Sequence, residues 1–236
     1  MAKGRGKVVL WHLAMAGAGI GALAAWRWQR RWGATAAEQR AVLPGDNLVP
    51  QPLLQATRAV GIDAPPSVVW PWLVQIGQDK AGFYSYAWLE NLAGLDGDNA
   101  NAVVPDWQRL AVGDGVRLAQ AIELRVALAE PERALVLDNL SAGKPEGGAL
   151  FASSWGFDFS WAFVLEPEGL AGTRLVVRER CVWSKWVTGL GVKAANWVSF
   201  VVTRGMLAGI KRRAEDAWLA DACGPADAPG PAEDRA

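Results

Sequence analysis

The sequence predicts an α+β domain in which a curved antiparallel sheet wraps around one long C-terminal helix. Three observations predict it. A strand-like run at residues 53–62 precedes a stretch, residues 63–95, that carries the signals of two short helices. Only strand patterns follow between residues 116 and 183, and a helical pattern then runs from residue 194 to about residue 219. This order is typical of helices packed against one sheet that the later strands build.

Composition limits the classes of partner. The chain has 236 residues, enough for one sizeable domain and an appendage. Its 24 basic and 24 acidic residues give a formal net charge of zero. Nucleic-acid binding depends on a positive surface that neutralises phosphates. We therefore expect no nucleic-acid partner.

Histidine and cysteine are scarce. His12 is the only histidine, and it lies in an apolar N-terminal run. A histidine base, a Ser-His-Asp relay and histidine metal ligands are therefore excluded from the folded domain. Cys181 and Cys223 are too few for a disulfide framework or a thiolate metal site, although one bridge between them stays open. We expect no metal and no cofactor.

Residues 8–26 form an apolar run of about membrane-spanning length. Basic residues flank this run, and tryptophans cluster near its ends, as they do at membrane interfaces. These residues are Lys3, Arg5, Lys7, Arg27, Arg30 and Arg31, with Trp11, Trp26, Trp28 and Trp32. We interpret residues 1–32 as a single-pass membrane anchor of open orientation. A cleaved signal peptide, with a cleavage site at residues 22–24, and a helix buried in the protein are the alternatives.

The remaining boundaries follow from local composition. Residues 33–52 have the proline, glycine and polar content of a surface linker. The folded domain is expected to span residues 53–221. Residues 222–236 are rich in proline and alanine and are predicted to be a disordered tail.

Residues 63–95 constrain the architecture most. Asp63 can cap a first helix, prolines fit its first turn, and Pro71 inside it is expected to bend it. Its apolar residues recur at helical spacing: Val68, Val69, Trp72, Leu73 and Ile76. Ser85 can cap a second helix, which Gly94 ends. The inward residues of that second helix are Trp88, Leu89 and Leu92.

Alternation is strongest in the last two strands. Apolar residues take every second position of the first: Trp155, Phe157, Phe159, Trp161, Phe163 and Leu165. In residues 173–183, Glu179 shares a face with apolar residues, and Arg174, Arg178 and Arg180 share the other. The final helix carries an apolar stripe: Phe200, Thr203, Leu207, Ile210, Ala214 and Ala217.

Several phrases resemble a known superfamily: APPSVVWPWLVQIGQDKAGFYSYAWLENL, VPDWQRLAVGDGVRL, WAFVLEP and GIKRRAE. The chain is similar, over about residues 53–219, to the START-related superfamily (SRPBCC) that includes the birch pollen allergens and the polyketide cyclase/dehydrase-like lipid-transport proteins. The resemblance implies a helix-grip fold with a cavity between the sheet and the final helix. The phrase RWGATAAEQRAVLPGDNLVP resembles anchored members, which implies a membrane protein, and the resemblance favours a cytoplasmic domain. Ala87, Thr203 and Gly205 depart from the family pattern, so no acidic role is carried over there.

The first functional hypothesis is a binding module for a hydrophobic small molecule or lipid at a membrane. Apolar pockets with a few oriented polar groups are the usual ligand sites. The turn at residues 80–84 would lie near the mouth of such a cavity. The alternative for each aromatic residue is ordinary core packing. The candidate ligand-binding residues are Tyr84, Tyr86, Trp88, Trp155, Phe157, Phe159, Trp161, Phe163, Glu179, Trp183, Phe200, Thr203 and Leu207.

Two further hypotheses compete. In a cyclase or dehydratase acting on a polyketide-like substrate, Glu179 is the best candidate for proton transfer, because alternation places it on an apolar face. An arginine partner or a shifted register would make Glu179 structural instead. In a membrane-held scaffold, Arg174, Arg178 and Arg180, with Glu123 and Arg125, would form a contact surface. A solvated convex face with cross-strand charge pairs is the simpler interpretation of these residues.

Overall fold

The fold is seen in a computed structural model that describes residues 3–85, 99–119, 122–140 and 156–223. Four α-helices and six strands lie within these ranges. The helices are α1 (Lys3–Gln29), α2 (Ala36–Arg40), α3 (Pro66–Val74) and α4 (Trp186–Cys223), with a short 3-10 turn at Pro105–Trp107. The strands are β1 (Leu54–Ile62), β2 (Gly115–Ala119), β3 (Ile122–Glu130), β4 (Ala134–Asp138), β5 (Phe157–Glu168) and β6 (Gly172–Trp183).

The strands form one antiparallel sheet in the order β1-β6-β5-β4-β3-β2. The longest pairing is the β5–β6 hairpin, which runs in continuous register from Phe157 opposite Trp183 to Glu168 opposite Gly172. The β2–β3 and β3–β4 pairings each contain a register shift, a feature that bends a sheet. The predicted α+β class with an antiparallel sheet and a long C-terminal helix is confirmed, and the arrangement is consistent with a helix grip.

The core lies between one face of the sheet and α4. Alternate residues of β5 and β6 contribute Phe163, Leu175 and Val177, and α4 contributes Leu207 and Ile210; all are fully buried. The predicted stripe on the final helix is therefore the face that packs on the sheet, although α4 begins eight residues before the predicted start. Cys181 is a buried free thiol, so it forms no bridge, and burial raises its pKa to about 12.

Helix α3 begins at Pro66, with Pro65 rather than Asp63 at the N-cap position, and contains Pro71 as predicted. Asp63 instead uses its backbone N–H to bond the Glu215 carboxylate of α4, at 2.8 Å. The second predicted short helix lies outside the described residues.

Residues 30–32 continue the sheet beyond β1. The N–H of Thr57 donates to the carbonyl of Arg30 at 2.7 Å, and the N–H of Ala59 donates to that of Trp32 at 3.2 Å. Gly33 follows with φ of 73°, and a Cβ atom there would lie 2.1 Å from the carbonyl oxygen of Ala59. Only glycine fits this approach. The exposed edge of β1 is thereby covered by the chain itself.

Residues 33–52, predicted as a surface linker, instead pack on the outer face of the sheet. A capping box between Thr35 and Glu38 begins α2, and Leu43 joins a small apolar cluster with Ala59, Val164 and Val176. The predicted solvated face of arginines is wrong for the same reason. Their guanidinium groups bind this segment: Arg174 pairs with Glu38 at 2.6 Å, and Arg178 and Arg180 pair with Asp46 at 2.7 and 2.8 Å. The other two residues of the predicted contact surface, Glu123 and Arg125, pair with each other at 3.5 Å and are exposed.

Residues 3–29 are helical, as the predicted anchor requires. Over the part of the chain that the structure describes, however, no helix has both the length and the apolar character that crossing a membrane needs. The structure therefore does not support the predicted single-pass span. The last turn of α1 contacts the domain, where Gln29 is fully buried.

Asp46 is expected to hold the outer segment on the sheet. We expect Asp46→Ala to lower the free energy of unfolding by about 3 kcal/mol, because it leaves the buried Arg178 guanidinium without a carboxylate. Urea unfolding measures this change. Glu130→Ala, which removes an exposed pair with Arg133, is the control and should cost about 0.5 kcal/mol or less. Equal effects of the two substitutions would contradict the role of Asp46.

Glu38 makes the attachment of this segment pH-dependent. The hydrogen bond from Arg174 holds the pKa of Glu38 below its ordinary value of 4.5. A carboxylate with a lowered folded-state pKa stabilises the protein above its unfolded pKa, and the gain is lost as pH falls through the folded value. We expect Glu38→Gln to reduce stability at neutral pH and to flatten its decline below pH 4.5. Unfolding curves over a pH series test this, and a profile parallel to that of the wild type would refute it.

Candidate ligand-binding site

Aromatic side chains of β5 face the interior beside the matching face of β6. Trp161 lies opposite Glu179, and Phe163 lies opposite Val177. The rings of Trp161 and Phe163 pack with centroids 4.7 Å apart, and both side chains are buried. Phe159 packs against the same core from a partly buried position. The alternation of the sequence therefore identified the inward face correctly.

Tyr84 forms a tight corner between the turn after α3 and helix α4. Its φ is 54°, and its ring meets that of Trp72 edge-to-face with centroids 5.7 Å apart. The Arg213 guanidinium lies over the Tyr84 ring, 4.8 Å from the centroid. A Cβ atom on Gly209 would lie 2.1 Å from the Tyr84 carbonyl oxygen. Gly209 thus allows α4 to approach the turn, a contact that no local sequence signal predicts.

Among the described residues, three buried polar atoms of this interior make no hydrogen bond of good geometry: Trp72 Nε1, Tyr84 Oη and Trp161 Nε1. Buried polar groups are almost always hydrogen-bonded, so each such exception needs a physical explanation. Burial raises the pKa of the Tyr84 phenol, and a hydrogen-bonding interaction with the Gln75 side chain offsets part of that rise. Each of these atoms is a donor that an acceptor from outside the chain could use.

An open groove of about 520 Å³ reaches Trp72 from the surface. It lies between α3, residues 101–103 and the C-terminal part of α4, where Arg212, Arg213 and Asp216 line it. Arg213 also donates to the carbonyl of Ala100 at 2.9 Å, which fixes one wall. The groove thus connects solvent with the Trp72–Tyr84 corner. Residues 80–84 are not among its lining residues, and their place at the mouth of a site stays a prediction.

A second feature of the interior is polar, and we call it the Glu179 cluster. It consists of Gln29, Arg58, Glu179, Asn196, Ser199 and Thr203. Arg58 Nη1 lies 2.6 Å from Glu179 Oε1, and both side chains are almost fully buried. Ser199 and Thr203 donate to the same oxygen at 2.6 and 3.2 Å, and Asn196 donates to Oε2 at 3.3 Å.

The end of α1 closes this cluster. Gln29 accepts from Arg58 through both its backbone carbonyl and its side-chain oxygen, each at 3.1 Å. Its amide Nε2 donates to Asn196 Oδ1 at 2.7 Å. The arginine partner considered from the sequence as the alternative for Glu179 is therefore present. Both carboxylate oxygens accept bonds from the protein, and a proton-transfer role for Glu179 stays a prediction.

The remaining predicted residues lie in different parts of the protein. Leu207 and Phe163 are fully buried in the core, whereas Thr203 bonds Glu179. Phe200 packs on Trp28 and Trp32 of the N-terminal segment, below the Arg58 guanidinium. Phe157 and Trp183 are half-buried partners at the end of the β5–β6 hairpin. The residues outside the described part of the chain are Tyr86, Trp88 and Trp155.

Gln29, Arg58, Asn196 and Ser199 were missed by the sequence analysis. One signal existed for Arg58, because alternation through residues 54–60 places it on the same face as apolar neighbours. An arginine on an inward face needs a buried partner. The amide and hydroxyl residues of α4 gave no comparable signal.

Comparison with known proteins gives no match to a family model and none to a curated protein. Solved structures do match. MLL2253 from Mesorhizobium loti is 18% identical, with a TM-score of 0.36, over 66% of this chain and 97% of that one. CalU16 from Micromonospora echinospora is 18% identical, with a TM-score of 0.30, over 70% and 85%. A norcoclaurine synthase point mutant from Thalictrum is 14% identical, with a TM-score of 0.38, over 70% and 94%. At these values the matches carry no inference about activity. They assign no family.

The Glu179 cluster gives a stability test. We expect Glu179→Gln to cost about 3–5 kcal/mol, because it leaves the Arg58 charge buried without a carboxylate. The double variant Arg58→Met with Glu179→Leu should be less destabilised than the sum of its two single variants, since it leaves no unpaired charge. Urea unfolding of Arg58→Met, Glu179→Leu and the double variant measures the coupling. Strictly additive costs would show that the pair does not act as a unit.

Proposed function

We propose that the protein binds a hydrophobic small molecule or lipid between the sheet and α4, and that it does so at a membrane surface. The observation that carries the proposal is a set of three buried donors that make no well-formed hydrogen bond to the described residues, namely Trp72 Nε1, Tyr84 Oη and Trp161 Nε1. An apolar interior with a few unpaired donors suits a ligand that is mostly hydrocarbon and carries one acceptor group. Burial of such a ligand would gain about 25 cal/mol per Å² of apolar surface.

The groove beside Trp72 supports a route to this interior. For a ligand to pass, the Tyr84 ring would have to separate from Trp72 and the Arg213 side chain from the Tyr84 ring. The Arg213 guanidinium donates to the carbonyl of Ala100 at 2.9 Å and to the side-chain oxygen of Asn101 at 3.0 Å. Both of these acceptors are neutral and can be exchanged for water.

The surface near the N-terminal segment supports the membrane part of the proposal. Large apolar side chains are exposed on α1 and on the first half of α4, and Trp26 and Trp197 pack together with centroids 6.1 Å apart. These exposed residues are Met15, Ile20, Leu23 and Trp28, with Trp186, Val187, Leu190, Trp197, Val198 and Val201. Residues 1–37 and 180–214 contain no Asp or Glu but many Lys and Arg. Exposed tryptophan and basic residues without acidic ones suit the interface of an anionic bilayer.

No contact among the described residues favours the enzymatic hypothesis, because the oxygens of Glu179 are occupied by Arg58, Ser199, Thr203 and Asn196. The scaffold hypothesis requires arginines that a partner can reach, but Arg174, Arg178 and Arg180 bind residues 33–52. Ligand binding is the function that the geometry supports best.

Native mass spectrometry of the full chain tests the proposal. We expect a copurifying lipid-like mass and a lower occupancy in Tyr84→Phe, because the variant removes a donor while preserving the shape of the ring. Without ligand, Tyr84→Phe should unfold at the same or a slightly higher urea concentration, since it removes an unsatisfied buried hydroxyl. Leu170→Gln, on an exposed turn, is the control and should change neither quantity.

Two measurements on Tyr84→Phe, the ligand occupancy and the stability in urea, separate ligand contact from core packing. Lower occupancy without lower stability supports direct contact with the ligand. A destabilised variant would mean that the hydroxyl already has a partner in the folded chain. Absence of any copurifying mass, together with no fluorescence gain from the apolar dye anilinonaphthalene sulfonate, would refute the binding function.

A further inference from the structure

A second open groove, of about 460 Å³, lies where the end of α1, helix α2 and the edge of β1 meet. Four of its seven lining residues are arginines, and none is acidic. The lining residues are Arg27, Arg30, Arg31, Gln39, Arg40, Gln55 and Thr57. We call it the arginine groove. It belongs to no part of the interior site described above.

The carboxylates closest in sequence to the arginine groove already pair with arginines outside it. Glu38 binds Arg174 at 2.6 Å, and Asp46 binds Arg178 and Arg180. Within the described ranges of the chain, none of the four groove arginines forms an ion pair with Asp or Glu. Like charges collected without a counter-charge repel one another, and an anion between them would remove that cost.

Arg30 shows this cost most directly. Its Nε atom is buried and has no hydrogen-bond partner, and its guanidinium lies 5.3 Å from the centroid of the Trp26 ring. Burial, and then the positive charges of Arg27 and Arg31, lower the pKa of Arg30. A guanidinium in this state has donors available and gains from a negative partner.

The groove is built on fixed backbone. The Arg30 carbonyl accepts from the Thr57 N–H, and Gln55 Nε2 donates to the carbonyl of Gln39 at 3.2 Å. Gln29, the residue that precedes Arg30, is hydrogen-bonded within the Glu179 cluster. The backbone that carries the groove arginines is therefore held in place by β1 and α1. This lowers the conformational entropy that is lost when the arginines bind a ligand.

We propose that the arginine groove binds a phosphate group. Phosphate oxygens match the planar forks of arginine, which bind them in pairs, and several arginines around one groove suit a doubly charged group. The group could belong to a phospholipid headgroup or to a soluble phosphate compound. The exposed apolar face of α1 and α4 begins beside this groove at Trp28, which places a lipid headgroup within the same surface.

The test uses the full chain and two probes. Glycerol phosphate, titrated by calorimetry, represents the soluble source; phosphatidylcholine vesicles with or without phosphatidic acid, in co-sedimentation, represent the lipid source. The double variant Arg31→Gln with Arg40→Gln removes two exposed groove cations without touching the core. Arg109→Gln with Arg133→Gln is the matched control, because it removes the same charge elsewhere on exposed positions.

We expect the groove variant to lose about tenfold or more in affinity for at least one probe, as befits lost charge-assisted bonds. The control should bind as the wild type does. Loss for glycerol phosphate indicates a soluble ligand, and loss for phosphatidic acid vesicles alone indicates a lipid. Equal losses in both variants would mean attraction by general charge and would overturn the site, as would unchanged binding of both probes by the groove variant. Phosphatidylcholine also carries a phosphate, so binding to its vesicles alone is due to the apolar face when the groove variant retains it. Its absence in the wild type would count against the membrane part of the proposed function and not against the groove.

Discussion

The ion pair between Arg58 and Glu179 lies where strands β1 and β6, helix α4 and the end of helix α1 meet. Arg58 comes from the edge strand β1, Glu179 from its neighbour β6, and the hydroxyl and amide groups that complete the carboxylate come from α4. Two charges removed from water are tolerated only when their remaining donors and acceptors are satisfied. Gln29 of α1 supplies that last requirement. The sheet, the final helix and the N-terminal segment are therefore fixed relative to one another by one set of bonds.

Residues 29–50 belong to the domain as much as the strands do. They supply the last ligand of the buried charges, extend the sheet past β1 and neutralise arginines on the outer face. The result is a sheet that is covered on both faces near β1 and β6. The interior toward Trp72 and Tyr84 is by contrast mostly apolar, and it holds buried donors that make no well-formed hydrogen bond to the described residues. At the Glu179 end, the polar groups are hydrogen-bonded to one another.

Features set by local periodicity could be predicted from the sequence. The every-second-residue aromatics of β5 and the stripe on α4 each lie within one element, and both faced the core as expected. The Arg58–Glu179 pair could not be predicted in this way, because it joins residues 121 positions apart and depends on the β1–β6 register. The packing of residues 33–52 could not be predicted in this way either. Their polar, proline-rich composition matches a linker, and the arginines that hold them on the sheet lie far away in the sequence, on β6. The three unpaired donors were also invisible, since a missing partner is a property of the assembled core.

The two hydrogen bonds from β1 to residues 30 and 32 have a mechanical consequence. A strand pulled along its length against its neighbour loads its ladder bonds together, so they resist more strongly than bonds broken one at a time. Helix α1 ends where this ladder starts, with Gln29 inside the protein. Any tilt or displacement of α1 is therefore passed directly to β1 and to Arg58, without a compliant loop between them. A change in the position of helix α1 would therefore change the surroundings of the buried Arg58–Glu179 ion pair.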